Sequence, residues 1–300
     1  MRQACAVWLK NRVDRSYFIN HEYPKPDQIP IEPVDRTALK QGLFQLIIAA
    51  PSRAIRVQVA DCIKLIANRD FGTEWPDYLD HAVALLSSKD PREVYAGLIV
   101  ILEPVKAFRY RNDPQNMISI MQSTLPLLLQ IGQHLIESPS TSDAAEYLHL
   151  IFKIYKNSIL NDLLPTHAAA DSILPWGKLL LGMAALQVPN VEAEEDEREK
   201  SESWKAKKWA FASLNILFTR CAVTSGDFPI HLTDSFRYGN PSQMPTPLLD
   251  RHAGFAKTFV ETFAPEILKV YIQQVELYVT QKAWLSRKVI YKIVQLLTEW

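Results

Sequence analysis

Apolar residues recur along this chain at the spacing of one face of an α-helix, and that regularity constrains its fold more than any other feature. Leu39, Leu43, Leu46 and Ala50 are spaced i, i+4, i+7, i+11. Ile55, Val59, Cys62 and Ile66 repeat the spacing, and Tyr95, Leu98, Leu102 and Val105 follow a close variant. Leu148, Phe152, Tyr155 and Ile159 repeat the first spacing, and Phe211, Leu214, Phe218 and Cys221 the variant. Each set falls on one stripe of a 3.6-residue helix. Sustained apolar/polar alternation, the mark of a half-buried strand, is hard to find.

Helix starts are well marked. Asp35 follows Pro33, Ser52 follows Pro51, and Asp90-Pro91 is trailed by Glu93 at the capping-box position. Asp113-Pro114 and Trp75-Pro76-Asp77 open two more. A proline fits the first turn of a helix and disrupts its interior, so these sites are read as boundaries. The spacing predicts about a dozen helices over 2–18, 34–50, 52–69, 75–88, 91–110, 115–137, 142–161, 169–187, 203–224, 250–263, 265–281 and 284–300. Short connections make consecutive helices antiparallel neighbours. Taken in pairs the unit is roughly 40 residues, the period of HEAT-type repeats, whose hairpins cannot bury their own faces. The expected class is therefore all-α, a HEAT-repeat α-solenoid.

Three segments interrupt the array and read as loops. Residues 20–32 hold Pro24, Pro26 and Pro30, and residues 224–247 hold four prolines with Gly226 and Gly239. Residues 188–203 are acidic, with Glu192, Glu194, Glu195, Asp196, Glu197, Glu199 and Glu202 set against Arg198 and Lys200.

No phosphate-binding glycine loop, nucleophile elbow or zinc-protease motif is present; Gly177 and Gly182 have P-loop spacing, but Met183 and Ala184 follow. The three cysteines, Cys5, Cys62 and Cys221, are far apart and odd in number, which points to a reducing compartment. Cys62 and Cys221 sit on apolar helix faces and read as small core residues. The seven histidines are scattered, so neither a metal site nor a cofactor is expected. Lys plus Arg equals Asp plus Glu, 33 each, which argues against a surface given over to nucleic acid or anionic lipid. Lys205, Lys207 and Lys208 beside Trp204 and Trp209 admit two readings. One is a stacking platform for nucleic acid. The other, preferred, is a solvated basic face beside a buried tryptophan. The acidic segment is either a solvated loop or a contact for basic partners.

Several segments together resemble the importin-β superfamily, and are most similar to the branch of importin seven and importin eight. Arg2-Gln3-Ala4 with Leu9-Lys10-Asn11 resembles the R-Q-A-x-x-x-x-L-K-N helix, and Asp35-Arg36 with Leu39-Lys40 the next one. Ile55-Arg56-Val57-Gln58, Asp70-Phe71 and Trp75-Pro76 resemble a further run, with Gly72 where proline is usual. The most specific match is the acidic stretch followed by Trp204-Lys205-Ala206-Lys207-Lys208-Trp209-Ala210 and Leu217-Phe218-Thr219-Arg220, with Ala206 in place of cysteine.

The resemblance implies a right-handed superhelix of antiparallel HEAT hairpins, with importin N-terminal-like repeats over 1–88 and a continuing array over 89–300 that carries the acidic loop 188–203 and a long loop 224–249. Family chains are several times longer, and this one starts inside what would be their second repeat, so it reads as an N-terminal fragment. The resemblance also implies a nuclear transport receptor, not an enzyme, that binds Ran-GTP, carries protein cargo with basic segments and touches phenylalanine-glycine nucleoporins. Such a protein shuttles between cytoplasm and nucleus. On the helices that would line the concave side, Arg36, Lys40, Gln41, Asp77, Asp80 and His81 are the candidate Ran contacts. Glu192, Glu194, Glu195, Asp196, Glu197 and Glu199 are the candidate cargo contacts. A helical-repeat scaffold that does not bind Ran is the alternative.

Overall fold

The computed structural model describes residues 1–19, 28–111, 113–137, 143–161, 163–188, 194–224, 246–280 and 283–299. Among them are thirteen helices and no strand beyond an isolated bridge between Phe71 and Trp75. They are α1 Arg2–Ser16, α2 Pro33–Ala49, α3 Arg53–Asp70, α4 Tyr78–Leu86, α5 Pro91–Phe108, α6 Gln115–Glu137, α7 Ala144–Ser158, α8 Pro165–Ala168, α9 Ala170–Ala185, α10 Glu195–Lys200, α11 Glu202–Thr224, α12 Thr246–Thr280 and α13 Arg287–Glu299. They fall into two compact units, Met1–Thr124 and Leu125–Trp300.

In the first unit α3 packs against α1 on one side and α5 on the other, while α2 lies across α3 and α5, and α4 against α5. The α3 start forms as expected, with Ser52 Oγ accepting from the Ile55 N–H. Asp90 caps α5 by accepting from the Arg92 N–H at 2.9 Å, with Pro91 at the first position. Glu93 does not complete a capping box; its carboxylate accepts from Ser88 Oγ at 2.5 Å, which in turn accepts from the Asp90 N–H. Asp35 does not cap α2, which begins at Pro33 after Glu32.

Between α3 and α4 the chain turns at Gly72, whose φ is +75°. Proline is locked near −65° and cannot adopt that conformation, so the departure from the family pattern is a different turn geometry rather than a neutral exchange. The turn sets Phe71 and Trp75 into an aromatic cluster. Trp75 meets Tyr78 at 4.8 Å, and Phe71 meets Tyr78 and Phe108 at 5.4 Å each. Phe44 of α2 completes it, 5.4 Å from Tyr78. Tyr78 is fully buried and donates its hydroxyl to the Val100 carbonyl at 2.6 Å. Gly97 lets α4 approach α5: a Cβ there would stand 3.0 Å from the Leu86 backbone nitrogen.

In the second unit α11 is the hub. It packs against α7, α9, α12, α13 and α10, while α9 also meets α12. The faces expected from the spacing are buried here: Leu148, Phe152, Tyr155 and Ile159, then Phe211, Leu214, Phe218 and Cys221. Tyr155 stacks on Trp176 of α9 at 4.2 Å.

Three expectations about elements change. The helices predicted over 250–263 and 265–281 are one helix, α12, with Pro265 inside it. Phe259, Phe263 and Ile267 are buried on both sides of the proline, and their burial outweighs the roughly 3 kcal/mol that an interior proline costs. The face of α2 is Leu43, Phe44 and Ile47, whereas Leu46 is 45% exposed. The expected loop 188–203 contains α10, while most of the expected loop 224–249 lies outside the described residues. The α2 correction separates two leucines of equal size. Leu43→Ala should lower the unfolding free energy by about 2–5 kcal/mol, and Leu46→Ala by less than about 0.5 kcal/mol, in urea denaturation of the chain.

Candidate functional site

The six candidate Ran contacts lie on α2 and at the start of α4, and they divide into two groups. Arg36 and Lys40 are turned inward. Lys40 Nζ pairs with Asp70 at 2.6 Å and donates to the Glu74 carbonyl at 2.6 Å. Asp70, only 6% exposed, also accepts from the Tyr17 hydroxyl at 2.8 Å. Burial, reinforced by that carboxylate, pushes the Tyr17 phenol far up. Arg36 lies over the Tyr17 ring at 5.1 Å and donates Nε to the Ile31 carbonyl at 2.8 Å. This network ties α1, α2 and the Gly72 turn together. Gln41, Asp77, Asp80 and His81 are exposed. Asp77 and His81 are joined across one helical turn, with His81 Nδ1 3.3 Å from the Asp77 carboxylate and 2.9 Å from its carbonyl.

The acidic segment is ordered by a partner far along the chain. Glu199 is buried and accepts from Ser286 Oγ at 2.9 Å and from the Arg287 N–H at 2.5 Å. It thus caps α13 from outside that helix, satisfying an N–H that no intrahelical carbonyl can reach. Arg287 returns the contact, with Nε 3.3 Å from Glu195 and Nη2 3.4 Å from Asp196. Arg198 lies over the Trp284 ring at 5.9 Å. Of the candidate cargo contacts, Glu194 and Glu197 are exposed, Glu195 and Asp196 face Arg287, and Glu199 is inside the fold. Glu192 lies outside the described residues.

The basic segment is not a solvated face. Trp204 is buried as expected, but Lys207 is buried too, at 1% exposure. Its ammonium donates to the Leu186 carbonyl at 2.7 Å and to Gln274 Oε1 at 2.6 Å. Burial lowers its pKa to about 8. Lys208 is half-buried and sits 3.8 Å from the centre of the Trp209 ring. Burial, then the charges of Lys288, Lys153 and Lys205, lower its pKa to about 8. Lys205 pairs with Glu202 at 2.6 Å, and Glu202 takes a 2.5 Å hydrogen bond with His149 Nδ1. Burial opposes the charge on Glu202, yet the hydrogen bonds from His149 and Lys205 prevail and hold its carboxyl down at about 2.

Cys62 and Cys221 are buried and Cys5 is exposed. Burial pushes the Cys62 thiol up to about 12 and the Cys221 thiol higher still, so neither is a thiolate near neutral pH. His167 is fully buried beside Ser158 Oγ at 2.9 Å, and burial holds its pKa at about 3. Among the described residues no group of three His, Cys, Asp or Glu is placed to hold a metal ion, and no helix is long and apolar enough to cross a membrane.

The geometry is that of packed helices in which many polar residues are held by contacts within the fold. Comparison with known proteins gives the same class. "Nonsense-mediated mRNA decay protein 5" of Saccharomyces cerevisiae is 26% identical over 98% of the chain, and importin-8 of Danio rerio is 25% identical over 100% of it. The exportin Cse1, solved in its cargo-free, cytoplasmic state, superposes with a TM-score of 0.58 at 13% identity over 99% of the chain and 41% of its own. No family model matches. The fold is therefore the all-α HEAT-repeat fold, and the chain is similar along most of its length to members of the importin-β superfamily. It spans 28% of the length of each of those two curated relatives.

The buried amine gives a pH test. A lysine whose pKa falls on folding contributes stability that is complete above its ordinary value of 10.5 and is lost as pH falls through about 8. The stability of the native chain relative to a Lys207→Met variant should therefore rise by about 2 kcal/mol between pH 8 and 9.5, measured as paired urea midpoints. Glu199→Ala should cost about 1–3 kcal/mol by orphaning the Ser286 and Arg287 donors, read in the same assay.

Proposed function

We propose that this chain is part of a nuclear transport receptor of the importin kind, which binds Ran-GTP and carries protein cargo through the nuclear pore. The observation that carries this reading is the likeness to importin-8 along essentially the whole chain, joined to a helical-repeat fold shared with an exportin. The proposed Ran face is the polar side of α2 and α4. There Gln41, Asp77, Asp80 and His81 make direct contacts, while Lys40 holds the Gly72 turn in place and Arg36 braces Tyr17 and Ile31. The proposed cargo contact is the acidic segment, with Glu194 and Glu197 reaching outward and Glu195, Asp196 and Glu199 fixing the helix that presents them. Glu192 extends the same charge.

Segments rich in lysine and arginine are drawn to such a field within the Debye length of about 8–10 Å. Phenylalanine-glycine nucleoporins complete the proposed partners, and the protein shuttles between cytoplasm and nucleus. Ran-GTP and cargo act on one stack of hairpins with opposite preferences, so each weakens the other by the same coupling free energy. The mechanism needs no cofactor and no bond is made or broken.

The test is capture on immobilised Ran. The GTP-loaded form should retain the chain and the GDP-loaded form should not. Asp77→Asn with Asp80→Asn should weaken retention several-fold, while the unfolding free energy falls by no more than the roughly 0.3–1 kcal/mol that each charge contributes at a helix start. Equal capture of both nucleotide states would overturn the reading in favour of a scaffold that does not bind Ran.

A further inference from the structure

One surface feature is used by neither the fold nor the proposed receptor function. A groove of about 360 Å³ runs between α11 and α13. Trp209, Ala212 and Tyr291 give it apolar surface, and Lys208, Arg287, Lys288 and Lys292 give it four cations. Among the described residues no carboxylate lines it. Its volume is at the low end of the range for ligand sites, which suits one or two large side chains rather than a cofactor. Tyr291 is a large aromatic residue left 65% exposed at its edge.

The charge around the groove is already shown to hold carboxylates. At one end Arg287 contacts Glu195 and Asp196 at 3.3 and 3.4 Å, and Lys288 stands 3.9 Å from Glu199. The line of cations continues past that acidic helix to Lys208 and to Lys292, which donates to Gln295 Oε1 at 3.0 Å, and among the described residues the lining there offers no acid. Lys208 is crowded by Lys288, Lys153 and Lys205, which outnumber the Glu199 carboxylate acting on it, an arrangement that an incoming anion relieves. The aromatic surface favours polypeptide over nucleic acid. The Trp209 ring carries the ammonium of Lys208 at 3.8 Å and that of Lys156 at 5.5 Å, so its face is engaged by cations rather than open for base stacking.

We propose that the groove between α11 and α13 docks an acidic protein segment bearing an apolar anchor side chain. The anchor enters beside Trp209, Ala212 and Tyr291, and its flanking carboxylates meet Lys208, Lys288 and Lys292. The occupant is thus of opposite charge to the basic cargo proposed for the acidic segment, and the site stands whether or not the chain binds Ran.

The test is fluorescence anisotropy with the full chain and three labelled probes: a dodecamer of Asp and Glu around a central Leu-Phe, the same peptide with Asn and Gln in place of the acids, and a single-stranded DNA of equal charge. The acidic peptide should bind, and its affinity should fall steeply as salt rises. Lys288→Gln and Tyr291→Ala should each weaken it several-fold. Both positions are exposed, so the thermal melt and the Ran capture ratio should stay as they are. Absence of binding, equal binding of the uncharged peptide, equal or tighter binding of DNA, or indifference to both variants would each overturn the proposal.

Discussion

Among the described residues, two helices carry the longest unbroken runs of buried residues, and the rest of the structure depends on covering them. Residues 96–105 of α5 and 210–215 of α11 are buried without a break. At 100° per residue, either run sweeps the whole circumference of its helix. Such a helix cannot be stable at a surface, so neighbours are required in every direction. That requirement sets α2, α3 and α4 around α5, and α7, α9, α12 and α13 around α11. It also explains why the fully buried charged groups Glu103 and Lys207 come with partners. Glu103, at 4% exposure, is met by Lys106 at 2.6 Å, and Lys207 is met by a carbonyl and an amide oxygen. A buried charge left alone would be far more costly than either contact is favourable.

Beside pairs made within one helix, such as Glu103–Lys106 and Lys205–Glu202, several buried carboxylates here act across long sequence distance. Glu199 serves an N-terminus that begins at residue 287, and Asp70 receives Tyr17 and Lys40 from two other helices. The net charge of zero conceals this arrangement. Acidic and basic stretches lie close in sequence at 194–208, yet the acids of α10 are neutralised mainly by α13 and the lysines of α11 by burial, by Glu202 and by aromatic rings. The consequence is a surface on which some charge is fully committed and some is not, and only the second kind can recognise a partner.

The periodicity made the helices legible, because a 3.6-residue stripe is a local property. Helix α6 falls on its expected span of 115–137, and the buried stripes of α7 and α11 are the expected residues. What the sequence left unread is tertiary. Leu46 fits the stripe of α2 as well as Leu43 does, and only the position of α3 and α5 decides which is covered. Pro265 looks like a boundary until the phenylalanines on both sides of it are seen to be buried together. Lys207 looks like surface because lysine is almost never fully buried, and nothing in its neighbours names Gln274 as its acceptor. The candidate partner contacts divide for the same reason. Arg36 and Lys40 carry the right charge for a surface role, but Tyr17 and Asp70, which hold them inward, come from α1's end and α3.

The motif that most specifically carried the family resemblance turns out to describe the core. Trp204, Ala206, Lys207, Ala210, Leu217 and Phe218 are all buried, and Arg220 spends a donor on the Leu160 carbonyl at 2.6 Å. Residues of this kind report that a chain must pack α11 in a given way; they say little about what it binds. A shared core motif is consistent with many partner surfaces, since each surface is written in side chains that the packing leaves free to vary. Asp77, Asp80 and His81 on α4, Glu194 and Glu197 on α10, and Lys288 and Tyr291 on α13 are exposed, and the fold holds in place the helices on which they sit. Function in this protein is therefore to be sought on the residues around the motif, with the motif itself acting as the frame that sets their positions.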